Sequence, residues 1–145
     1  MLRKILFPTD FSEHSVKVKK ELKKIAGYSK ELILLNVLDN RLFPYTDSVE
    51  GIEIENLNLM ETLTKAAESK LEKWKSEFEK AGFPKVRIVL LEGVPFDEIL
   101  KIAEKKKVTS IFLGHQGSSA VERLLLGSTA EKVARKSKVP VVLIK

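Results

Sequence analysis

Residues 110–129, S-I-F-L-G-H-Q-G-S-S-A-V-E-R-L-L-L-G-S-T, carry the spacing with the clearest chemical meaning in this chain. A short apolar strand, Ile111-Phe112-Leu113, breaks at Gly114. Gly117 follows, and after nine more residues Gly127-Ser128-Thr129 introduces the helical pattern of Ala130, Val133, Ala134 and Ser137. Glycine lets backbone N–H groups approach a ligand with no Cβ in the way. A helix start adds amides without an intrahelical acceptor and a partial positive charge. Strand, glycine loop and helix start in that order suit an anion, most often a phosphate. On spacing alone, G-x2-G-x9-G-[ST] reads equally as a tight turn, a surface loop and a helix cap. Ser128 and Glu131 would then form a capping box. The two standard phosphate motifs, G-x-x-x-x-G-K-[ST] and G-x-G-x-x-G, are both absent from the sequence.

Other reactive side chains are few. Asp10 follows the first apolar run, Ile5-Leu6-Phe7-Pro8, and precedes a helical pattern. A carboxylate there caps a helix, and it is also placed to accept a ribose hydroxyl or hold a phosphate's magnesium. His115, Ser118 and Asp10 are the types of a nucleophilic triad, but a triad is defined by geometry rather than by type. A loop histidine is the default for His115, and a helix-surface residue for His14. Two histidines and no cysteine make a poor transition-metal set and exclude a thiol nucleophile.

The elements that must position these groups follow from periodicity. Phe11, Ser15, Val18, Leu22, Ile25 and Ala26 recur at helical spacing, with Gly27 at the place of a terminating glycine. Leu32–Leu38 is an almost unbroken apolar run, as in a strand covered on both faces. From Asp39 to about Asn58 no period is visible, which predicts a long loop. Leu63, Ala67, Leu71, Trp74, Phe78 and Ala81 write one helical stripe, closed by Gly82 and Pro84. Val86–Leu91 is a strand, Phe96, Ile99, Leu100 and Ala103 a helix, and Val141–Ile144 a last strand after Pro140. The alternation predicts one α/β domain over residues 1–145, a doubly wound parallel sheet of five strands with helices on both faces. In the order 3-2-1-4-5, strands 1 and 4 adjoin where the order reverses, and ligands bind there.

The chain of 145 residues is 43% hydrophobic, with a formal net charge of +6. No apolar run reaches the roughly 20 residues of a membrane span, and the N-terminus is not patterned as a signal peptide. A cytoplasmic protein is expected. Lysines are spread over helices among glutamates, and aromatics are not interleaved with them, which argues against nucleic acid.

The motif G-H-Q-G-S-S-A-V-E-R-L-L-L-G-S-T-A-E-K-V resembles that of the universal stress protein family. So do K-I-L-F-P-T-D-F-S, the N-V ending the second strand, E-G-V-P-F-D-E-I-L and K-V-P-V-V-L-I. The resemblance implies ATP or AMP held between strands 1 and 4, with Mg2+ or Mn2+, in a stress-response binding or signalling module. It implies Pro8, Thr9 and Asp10 at the nucleoside end, Val37 against adenine, and Gly114 and Gly117 against ribose and phosphates. Gly127, Ser128 and Thr129 would hold the phosphates, and Asp10 is the candidate metal ligand. It also implies a homodimer, and the edge strand Val141–Ile144 is where it would form. The chain departs from the pattern at His115, where a small or hydroxylic residue is usual, and at Ser118, where a basic one is common. Arg123 is then the nearest cation in sequence. Two rival expectations remain: a slow ATPase or phosphotransferase, and an interaction protein of the same fold that binds no nucleotide.

Overall fold

The computed structural model describes residues 1–42, 50–116 and 126–145, with the backbone alone over 50–56. Its elements are β1 (Lys4–Pro8), α1 (Glu13–Lys24), β2 (Glu31–Asp39), α2 (Glu50–Ala81), β3 (Val86–Gly93), α3 (Pro95–Lys105), β4 (Ser110–Gly114), α4 (Ser128–Lys136) and β5 (Val141–Ile144). The strands lie in the order β3-β2-β1-β4-β5, all parallel. This is the expected doubly wound sheet.

The unbroken apolar strands make sense because both faces are covered. Alternate strand residues point to opposite faces. Ile5, Phe7, Leu32, Leu34 and Phe112 meet Val18 and Leu22 of α1 and Leu71, Trp74 and Phe78 of α2. Leu6, Ile33, Leu35, Ile111 and Leu113 meet Ile99, Ile102 and Ala103 of α3 and Val133 of α4. Every strand therefore has its amino end at one edge of the sheet and its carboxyl end at the other.

Three local expectations are corrected. The long loop over 39–58 is shorter, because α2 already begins at Glu50. No apolar period marks this start: Leu57 is 69% exposed, and among the described residues burial starts at Ala67. Once the packed turns exist, extending a helix needs no new nucleus. Gly27 does not close α1. Ile25 is the cap, and Gly27 sits within a 3-10 turn, Ala26–Tyr28. The terminating glycine is instead Gly82 after α2, at φ +114°. The capping box at Ser128 is absent. Gly127 is the N-cap with no side-chain cap bond, and its carbonyl accepts from Glu131 N at 2.9 Å. Helix α4 thus starts one residue early for the box, and the Glu131 carboxylate turns to Arg135 at 3.4 Å.

No helix among the described residues is long and apolar enough to cross a membrane.

Candidate functional site

The candidate site lies at the carboxyl ends of β1 and β4, the neighbours at which the strand order reverses. Its first rim is the turn leaving β1. Thr9 N donates to Leu35 O at 2.8 Å, carrying the pairing with β2 one residue past Pro8. The chain then turns through Asp10 and Phe11, and Phe11 takes φ +61°. A bulky non-glycine residue in the left-handed region stores strain that its surroundings must offset.

Those surroundings are side chains. Thr9 Oγ1 accepts from Phe11 N at 3.0 Å. The Phe11 ring sits edge-on to Trp74 at 5.2 Å, under the Lys70 ammonium at 5.3 Å. Asp10 Oδ1 accepts from Ser12 N at 3.0 Å and from the Ser15 hydroxyl at 2.9 Å. Asp10 N donates back to Ser15 Oγ at 3.3 Å. The carboxylate so held lies just before the N-terminus of α1, whose cap is Ser12. Asn36 completes the rim. It is only 7% exposed, and its Nδ2 donates to Thr9 O at 2.7 Å. Its Oδ1 is buried without a partner, and such an acceptor costs about 1–3 kcal/mol.

The second rim is backbone. Gly114 ends β4 where α1 begins. A Cβ added there would lie 3.0 Å from His14 Cβ and 3.1 Å from Gln116 O, tight enough that a neighbour would have to shift by a few tenths of an ångström. Beyond it His115 N donates to Ile144 O at 2.8 Å, and His115 O accepts from Gly127 N at 2.9 Å. Gly127 has φ −58° and ψ 149°, open to any residue. Its N–H is committed to His115, so the anion donors at this helix start are the next amides, Ser128, Thr129 and Ala130.

The fold therefore puts Pro8, Thr9 and Asp10 at the carboxyl end of β1, the neighbour of β4, with Gly127 tied to His115 and Ser128 and Thr129 following it into α4. Val37, half-buried and paired with Leu91, faces the α3 and α4 side, opposite to Asn36. Gly117, Ser118 and Arg123 lie outside the described residues. Among the described residues no three His, Cys, Asp or Glu gather. Asn36, Ser15 and Phe11 are the rim residues that sequence reasoning passed over. Asn36 left a signal, as the only polar residue within Leu32–Leu38.

Comparison with known proteins gives a consistent result. The model of the family described as "Universal stress protein family" matches residues 1–145. The chain is similar to Universal stress protein MJ0577 of Methanocaldococcus jannaschii, 39% identical over 157 residues, covering 100% of this chain and 96% of that protein. The solved structure titled for hypothetical protein MJ0577 superposes with a TM-score of 0.89 at 38% identity, covering 100% of this chain and 96% of the other. A universal stress protein from Archaeoglobus fulgidus solved with dAMP has a TM-score of 0.64, with both chains covered completely. At 21% identity it shows the likeness of fold alone.

Proposed function

The chain belongs to the universal stress protein family, and from that premise we propose that it is a binding module for an adenine nucleotide, ATP or AMP. The observation that carries the reading is one juxtaposition. A carboxylate locked before α1 and the open amides of α4 flank the β1–β4 switch point, where an α/β sheet takes its ligand. Thr9 and Asp10 hold the nucleoside end, and the edge of β2 at Val37 offers backbone groups to the base. The amides and hydroxyls of Ser128 and Thr129 take the phosphates, with Gly114, Gly117 and Gly127 allowing close approach. Mg2+ or Mn2+, brought with the nucleotide and held by Asp10, would neutralise phosphate charge. The role is cytoplasmic binding or signalling under stress rather than turnover.

The protein forms a homodimer through β5. That strand pairs with β4 alone and leaves its other edge open. Pro140 O and Ile144 O accept from β4 and its continuation, so the groups of Val141 and Leu143 face the open edge. Leu143→Pro should halve the sedimentation mass of a folded protein. An unchanged mass places the interface elsewhere.

Titration calorimetry tests the nucleotide. Saturable heat with ATP, strengthened by Mg2+, is expected. No heat at roughly millimolar ATP, an affinity weaker than about −4 kcal/mol, refutes the reading. Mass spectrometry of small molecules released from denatured protein identifies the nucleotide carried.

A further inference from the structure

The opposite edge of the sheet, where the strands begin, gathers charge that the sequence scatters. Arg3 and Lys4 open β1, Lys30 precedes β2, Lys85 and Arg87 stand at the start of β3, and Lys106 follows α3. Their contiguity is explicit. Lys30 N donates to Arg3 O at 3.0 Å, Leu32 N to Lys85 O at 2.9 Å, and the Lys4 ammonium to Lys106 O at 2.8 Å. One carboxylate, Glu31, serves three of these cations: Arg87 at 3.0 Å, Lys4 at 3.7 Å and Lys85 at 4.0 Å. Arg3 and Lys30 are exposed and make no ion pair among the described residues. The cluster is left with five positive charges in excess, nearly the +6 of the whole chain.

Lysines at helix ends are expected, because they complement the helix dipole. Arg3, Lys30, Lys85 and Arg87 are not in helices, so that account does not cover them. Close to Lys30 in sequence is an aromatic ring that packs little. Tyr28, two residues from Lys30, is 79% exposed. Phosphate-pairing cations next to an exposed aromatic face are the two components of single-strand recognition: charge follows the backbone and the ring stacks on a base. A duplex offers no such free base.

We propose that this amino edge binds single-stranded nucleic acid, with phosphates on Arg3, Lys30 and Lys85 and a base stacked on Tyr28. The surface is separate from the crevice and does not depend on what the crevice holds.

The test is fluorescence anisotropy of a short labelled oligothymidylate with the full chain. Saturable binding is expected. If the three phosphates are engaged, affinity should fall roughly 20-fold between about 50 and 200 mM salt. The triple variant Arg3→Glu, Lys30→Glu, Lys85→Glu should lose at least tenfold, with its thermal midpoint and its nucleotide affinity at the crevice kept. Tyr28→Ala should weaken binding about tenfold with an unchanged salt slope, within the range for one stacked base. Absence of binding at about 100 mM salt overturns the proposal. Equal binding by the triple variant, no loss in Tyr28→Ala, or tighter binding to phosphatidylserine vesicles than to the strand does so too.

Discussion

The two rims of the crevice are built from different materials. The β1 rim is a lattice of side chains, in which Asn36, Thr9, Ser15, Trp74 and Lys70 hold a turn that contains one strained residue. The β4–α4 rim is backbone: a glycine that lets α1 approach, a single amide-to-carbonyl bond from Gly127 to His115, and the open start of a helix. A rim made of side chains can be retuned by one substitution that leaves the fold alone. A rim made of backbone changes only where a Cβ intrudes. Substitutions on each side test this contrast.

Gly114→Val should have the largest effect. Its Cβ is tight against His14 and the Gln116 carbonyl, both backbone or near it, and valine adds two methyl groups beyond that Cβ. Overpacking of this kind costs about 1–3 kcal/mol. The thermal midpoint and nucleotide binding should fall together, and a stable variant that still binds would show that α1 and β4 can separate freely. Gly127→Val comes next. Its backbone angles suit valine, and the bond to His115 survives, so stability should hold. A side chain beside the phosphate amides should reduce ATP affinity about a hundredfold, or roughly 2.7 kcal/mol. Unaltered affinity in the folded variant removes the α4 start from the site.

Asn36→Leu tests the other rim. It deletes the bond to Thr9 O and, with it, the orphaned Oδ1. Those two losses offset, so stability by chemical denaturation should stay within about 1 kcal/mol. Nucleotide affinity should drop about tenfold, because the Thr9–Asp10 peptide is no longer held. If affinity is untouched, the β1 rim is not organised by side chains.

The smallest effect is expected at Glu77. Lys19 donates to its carboxylate at 2.7 Å and lies 4.5 Å from the Trp74 ring centroid, the ring that supports Phe11. The hydrogen bond from Lys19 holds the Glu77 carboxyl below its ordinary 4.5. A depressed folded value means a stabilising contribution that is full above the ordinary glutamate range and disappears as pH falls through the lower one. Glu77→Gln should therefore cost about 0.5 kcal/mol at neutral pH, as for partly exposed pairs, and nothing in strong acid. A cost independent of pH would mean the charge pair contributes nothing.

The rims also differ in how legible they were in the sequence. Strand order and helix faces were readable because burial writes a period, and the stripe through Leu71, Trp74 and Phe78 is that period. The outer turns of α2 carry no such period, since Leu57 faces solvent and leaves no burial signal. Gly114 stood out because it ends an apolar run and opens the G-x2-G-x9-G-[ST] spacing. The start of α4 was misjudged by one residue, since Gly127 caps with its carbonyl and needs no hydroxyl. Asn36 and Ser15 act through partners 27 and five residues away, and one-dimensional spacing does not encode such pairs. The same holds for the amino edge, whose cations come from four separate segments.

The bond between Gly127 N and His115 O has a consequence for chain length. It holds together the two ends of the connection between β4 and α4, so the strand and the helix are anchored whatever the number of residues between them. Closing a loop twice as long costs only about 0.6 kcal/mol more. Duplicating Ser118-Ser119 between these anchors should therefore leave β4 and α4 held to each other, with a small change in the thermal midpoint.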